Sequence, residues 1–132
     1  MITRTNASVK YLKAIVDTAF RSSEVDKDGD INVDARCRVW IFCLPDEYRI
    51  QLFAQYKMKP ESTELERLRA VNSINREYIM VKADFRDSGL LPLRYDICLE
   101  HGVSEVAFCR TIDRFASVAY DAVHDCAGNL LA

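Results

Sequence analysis

Ile31-Asn32-Val33-Asp34-Ala35-Arg36-Cys37-Arg38-Val39-Trp40-Ile41-Phe42-Cys43-Leu44-Pro45-Asp46-Glu47-Tyr48-Arg49-Ile50-Gln51-Leu52-Phe53-Ala54-Gln55-Tyr56 is the stretch that decides the fold. Its apolar residues recur at every second position, the period of a β-strand with a buried face. In a first strand, Ile31, Val33 and Ala35 alternate with Asn32, Asp34 and Arg36. A second, from about Cys37 to Leu44, is apolar on both sides: Val39 and Ile41 on one, Trp40, Phe42 and Leu44 on the other. Pro45-Asp46-Glu47 makes a turn. A third strand, about Arg49 to Lys57, sets Ile50, Leu52, Ala54 and Tyr56 against Gln51, Phe53 and Gln55. A strand with water on one side does not carry Trp and Phe there. Trp40, Phe42 and Phe53 are therefore expected to form an apolar patch on the second face of the sheet. The middle helix or another subunit is expected to cover it.

On either side of this stretch the period is 3.6. Val9, Leu12, Ile15, Val16, Ala19 and Phe20 form one stripe of a helix from about Ala7 to Phe20, with Asn6 or Thr5 as cap. Glu24-Val25-Asp26-Lys27-Asp28-Gly29-Asp30 reads as a charged turn, because Gly reaches positive φ without a Cβ clash. Thr63-x-x-Glu66 is a capping box that opens a middle helix over about Glu64 to Glu77. The inner stripe of that helix is expected to be Leu65, Leu68, Val71 or Asn72, and Asn75. Tyr78 to Phe85 reads as a fourth strand, with Ile79, Val81, Ala83 and Phe85 inward. Arg86-Asp87-Ser88-Gly89 turns the chain into a fifth, about Leu91 to Glu100. Ser104 caps a last helix whose stripe is Phe108, Ile112, Phe115, Ala116, Ala119, Tyr120 and Val123, and the tail Asn129 to Ala132 is expected to be loose. The order is α-β-β-β-α-β-β-α: an α+β fold on a five-stranded antiparallel sheet.

A chain of 132 residues, 49% hydrophobic and 29% charged, is expected to form a single domain over residues 1–132 and to bury a core without staples. The net charge is −2 and the cations are scattered, which predicts no nucleic-acid partner. Five cysteines at irregular spacing do not make a disulfide framework and suit a reducing, cytoplasmic setting. Charges interrupt the first twenty residues too often for a signal peptide, and no run approaches the roughly 20 apolar residues of a membrane span.

Candidate chemistry is sparse. Asp26-Lys27-Asp28-Gly29-Asp30 matches the first half of a calcium-binding EF-hand loop. The loop's sixth position should be Gly and is Ile31; its twelfth should be Glu and is Cys37. No metal is expected there. The cysteines never fall as C-x-x-C, and His124 and Cys126 at i, i+2 do not share a helix face, so no zinc site is expected. Catalysis by Cys98 with His101 or His124 ranks last among the readings. No glycine-rich phosphate loop and no cofactor site are expected. Asn72 and Asn75 are poor mid-helix residues that share a face at i, i+3. They either tie the helix to the next strand through backbone hydrogen bonds or form a polar recognition point.

Val71-Asn72-Ser73-Ile74-Asn75, the Asp28-Gly29-Asp30 turn, and Leu99-Glu100-His101-Gly102-Val103-Ser104 opening the last helix together make the chain resemble the YbjN family. The resemblance runs from about Tyr11 to Val123. It implies a fold like that of type III secretion chaperones, with the same order of elements. Such chaperones are small, acidic and usually dimeric, and hold segments of another protein against apolar patches. YbjN-like proteins are tied to regulation with no defined biochemical activity.

The expectation is therefore a non-enzymatic, cytoplasmic, homodimeric protein-interaction module, chaperone-like or regulatory. It would bind another polypeptide through Trp40, Phe42 and Phe53, with Asn72 and Asn75 as polar points. The alternative is a regulatory domain that senses a small ligand in a polar pocket near Asn72 and Asn75, with Arg94 and Asp96 converging on it.

Overall fold

In the computed structural model, which describes residues 1–132, three helices and a six-stranded antiparallel sheet enclose one hydrophobic core. The elements run α1 (Val9–Ala19), β1 (Ser23–Val25), β2 (Ile31–Asp34), β3 (Arg38–Leu44), β4 (Arg49–Lys57), α2 (Glu64–Glu77), β5 (Lys82–Ala83), β6 (Leu90–Cys98) and α3 (Glu105–Ala127). Strand order in the sheet is β1-β2-β3-β4-β6-β5.

The expected sheet of five strands gains a sixth. The charged segment read as a turn begins with β1, which pairs Ser23 with Val33 and Val25 with Ile31. Ser-Glu-Val carries no alternation of its own, and long-range pairing supplies the strand. The turn itself is as expected. Gly29 lies at φ 84, and the Asp26 carboxylate accepts from the amides of Asp28 (2.9 Å) and Asp30 (3.0 Å).

The alternation of β2 to β4 and of β6 divides the sheet into two faces. Ile31, Val33, Val39, Ile41, Ile50, Leu52, Ala54, Leu91, Leu93 and Ile97 are buried on the inner one. Against it lie α1, through Leu12, Ile15 and Val16, and α3, through Phe108, Ile112, Phe115, Ala116 and Ala119. The alanines of α3 let the helix come close to the sheet, and such burial contributes about 25 cal/mol per Å² of apolar surface. Ser8, not Asn6 or Thr5, caps α1, its hydroxyl accepting from the Tyr11 amide at 3.1 Å.

Three further expectations are corrected. The eight-residue fourth strand shrinks to Lys82–Ala83, because Met80 adopts φ 64, which breaks the extended run. Ile79, expected inward, is 72% exposed. The buried face of α2 is Ala70 and Ile74, while Leu65 is 57% exposed and Leu68 is also exposed. The helix is thus rotated relative to the expected stripe. The tail is not loose: Gly128–Leu130 form a 3₁₀ turn, Leu130 is buried, and the Ala132 amide donates to the Lys57 carbonyl at 2.9 Å.

α2 is held on the helical side of the sheet. The capping box forms as expected, with the Thr63 amide donating to Glu66 (2.8 Å) and the Glu66 amide to Thr63 Oγ1 (3.1 Å). The helix packs against α3 and β5, and at its C-terminal end the Tyr78 hydroxyl donates to Asp125 of α3 at 2.8 Å. With α1 and α3 on the inner face and α2 at this edge, the outer face carries no helical layer.

Candidate functional site

Trp40 and Phe42 on β3 and Phe53 on β4 come together on that outer face. Register places Trp40 directly opposite Phe53. Their ring centroids are 6.1 Å apart at 71°, and those of Phe42 and Phe53 are 5.7 Å apart at 51°. These are edge-to-face and tilted contacts of the kind that aromatic quadrupoles favour. All three rings are half-buried by one another and by neighbouring strands. Asn32, opposite Trp40 on β2, is only 5% exposed.

A polar rim surrounds the rings. Arg94 on β6 stands opposite Phe53, its guanidinium 5.9 Å from the ring centroid and 3.1 Å from Asp84. Asp96 accepts from Arg49 at 2.8 Å and from Gln51 at 3.0 Å. Arg49 also meets Glu47 at 2.9 Å, and across the sheet Arg38 pairs with Asp34 at 3.2 Å. An aromatic centre within a rim of arginine, amide and carboxylate groups makes this face the candidate site. Sequence reading found the rings and missed most of the rim. Its signal was the polar alternation of Arg49-Gln51 and Arg94-Asp96, which register brings side by side.

Asn72 and Asn75 lie elsewhere, on α2. The Asn75 amide donates to the Ala83 carbonyl (3.1 Å), and its oxygen accepts from the Ala83 amide (2.8 Å). This is the tie to the next strand. Asn72 is exposed. Arg94 and Asp96 do share the wall of a cleft of about 480 Å³, with Arg49, Gln51, Lys82 and Tyr95, but neither asparagine lines it.

The groups considered for catalysis or metal binding are dispersed. Cys98 is exposed on the outer face, whereas His124 belongs to α3 on the inner side, stacked on Tyr120 with centroids 3.9 Å apart. Burial pushes the thiols of Cys37, Cys43, Cys109 and Cys126 up, the opposite of an activated nucleophile. Glu77, Asp125 and Cys126 place one ligand atom each within 4.8 Å of one another. Asp125 there already accepts from Tyr78, and Cys126 is held protonated by burial and by the charges of Glu77 and Asp125.

This architecture, a helix-backed antiparallel sheet whose aromatic face no helix covers, is similar in fold to the type III secretion chaperones. The structure of the Yersinia pestis type III secretion chaperone SycH in complex with a stable fragment of YscM2 superposes with TM-score 0.54 at 12% identity, covering 88% of this chain and 98% of that one. The crystal structure of YbjN, described as "a putative transcription regulator from E. coli", superposes with TM-score 0.76 at 18% identity, covering 95% of each chain. Residues 11–127 match the family model YbjN, "Putative bacterial sensory transduction regulator", and the chain belongs to that family. Curated proteins give no significant match. No helix of the protein is long and apolar enough to cross a membrane.

Proposed function

We propose that this protein is a non-enzymatic interaction module, chaperone-like or regulatory, which binds another polypeptide across the outer face of its sheet. One observation carries the reading: Trp40, Phe42 and Phe53 form a contiguous aromatic cluster on a face that no helix covers. Large exposed apolar patches with polar rims mark binding surfaces, and Trp and Arg dominate their energetics. The SycH structure, a chaperone of similar fold in complex with a stable fragment of YscM2, supports a polypeptide as the partner. The rings would be the anchors, and Arg94, Asp96, Arg49 and Gln51 would set orientation. Asn72 would add a polar contact on α2, away from the rings; Asn75 is committed to β5. The module acts as one domain over residues 1–132 in the cytoplasm, with no metal or cofactor. Without its partner it pairs with a second copy, rings against rings.

The test is capture from native cell extract on the immobilised protein, beside a Trp40→Ala, Phe42→Ala variant whose fold is checked by circular dichroism. At least one polypeptide should be retained by the wild type and lost by the variant. Identical capture by both would contradict the proposal.

A further inference from the structure

On the β5 side of the sheet, part of β6 has no neighbouring strand. β5 matches only Lys82 with Arg94 and Ala83 with Leu93, and Met80 at φ 64 lies just before it. Residues 95–98 of β6 thus have no strand beside them on that side. The Pro92 carbonyl faces β5, accepting from the Asp84 amide at 3.2 Å, while the Leu99 amide faces the other way, donating to Tyr48 at 2.7 Å. Backbone groups alternate in direction along an antiparallel strand. Those of Asp96 and Cys98 therefore point to the open side, where no group of the protein bonds them. Folded proteins blunt such edges, because an open edge is a template for another strand. Here the opposite edge, β1, is three residues long, and at β5 the Asn75 amide occupies Ala83. At Asp96–Cys98 neither a strand nor a side-chain amide takes that place.

Two clefts meet at this edge, of about 480 and about 530 Å³, sharing Met80 and Tyr95. Arg49, Lys82, Arg94, Arg110 and Arg114 line them; Arg49 is paired with Glu47 and Asp96, and Arg94 with Asp84. Lys82, Arg110 and Arg114 have no carboxylate within 4.0 Å. The excess is local, since the chain as a whole carries −2.

We propose that the open edge of β6 binds an acidic, extended segment of a second protein, which adds as a strand beside Tyr95–Cys98 and sets its carboxylates against Lys82, Arg110 and Arg114. Main-chain hydrogen bonds to Asp96 and Cys98 supply affinity, and the cations select the partner. A second copy of this chain is disfavoured as occupant, because its own edge carries the same positive charge. The site lies on the edge of the sheet and does not use the three rings, although one of its clefts shares Arg49, Gln51, Arg94 and Asp96 with the rim of the aromatic face.

The probe is a synthetic decapeptide of alternating glutamate and valine. Its lysine–valine counterpart and a short single-stranded RNA serve as controls, with amide hydrogen exchange of the full chain as readout. The acidic peptide should slow exchange at the Asp96 and Cys98 amides by about tenfold or more, and the lysine peptide should not. Arg110→Glu with Arg114→Glu should weaken acidic-peptide binding about tenfold or more. Cys98→Pro, which removes a donor that bonds nothing in the protein, should weaken it too, with an unchanged melting temperature. The Trp40→Ala, Phe42→Ala variant should bind the peptide as the wild type does, so the two proposals fail separately. Equal binding of the lysine peptide, no slowing at Asp96 and Cys98, or tighter binding of RNA abolished by the same charge reversal would each overturn the proposal.

Discussion

The side-chain amide of Asn75 meets both outward backbone groups of Ala83, at 2.8 and 3.1 Å, and so completes the edge of β5 as a neighbouring strand would. Asn75→Ala leaves those groups without their partner. It is expected to cost about 1–3 kcal/mol, read as a lower urea midpoint. Asn72→Ala, on the exposed side of α2, should stay within about 0.5 kcal/mol. Equal effects at the two positions would contradict the tie. Tyr78 offers a second test by pH. Its hydrogen bond to Asp125, with desolvation and the charge of that carboxylate, raises the phenol from 10.0 to about 12. A raised folded value means that the stabilisation is complete below pH 10.0 and is lost as pH climbs towards about 12. Tyr78→Phe should flatten that part of the stability profile; an unchanged alkaline limb would contradict the contact. At this scale the sequence singled out Asn75 because Asn is costly inside a helix. It could not choose between tie and recognition point, because the partner groups belong to a strand eight residues away.

Elements were legible in kind and less so in phase. The capping box of α2 is local chemistry, two residues three apart that satisfy each other's amides, and it forms where Thr63 and Glu66 predict it. Which face of α2 is buried is decided by the neighbours. Leu65 and Leu68 make the greasier stripe, yet Ala70 and Ile74 face α3 and β5. The anchors Asn75 and Tyr78 fix that rotation from the C-terminal end. Ile74→Ala should therefore cost about 2–5 kcal/mol by leaving a cavity. Leu65→Gln should shift stability by no more than about 0.5 kcal/mol, as a surface change does. Denaturant unfolding of both variants decides, and a larger loss at Leu65 would restore the stripe expected from periodicity. β5 and β1 failed as readings for a related reason. Eight alternating residues from Tyr78 to Phe85 reduce to two paired ones, and a charged segment without alternation becomes a strand, because pairing partners far along the chain outweigh local pattern.

For the whole molecule, period alone predicted two faces of the sheet and put Trp40, Phe42 and Phe53 together on one of them. Whether that face is covered depends on where α2 docks, a long-range outcome the sequence does not spell out. In the folded chain α2 sits with α3 and β5, and the aromatic face stays bare. The protein alone is expected to run as a dimer in light scattering at tens of micromolar, and the Trp40→Ala, Phe42→Ala variant as a monomer. A monomeric wild type would remove self-pairing from the proposal. The most direct measurement uses the fact that Trp40 is the only tryptophan in the chain. The polypeptide captured from extract, in tryptophan-free form, is titrated into the protein while Trp40 emission and its quenching by acrylamide are recorded. Docking on the aromatic face predicts a saturable change in emission and a loss of quenching that follow complex formation and differ from those of the dimer alone. A complex that assembles with Trp40 emission and quenching unchanged would contradict it.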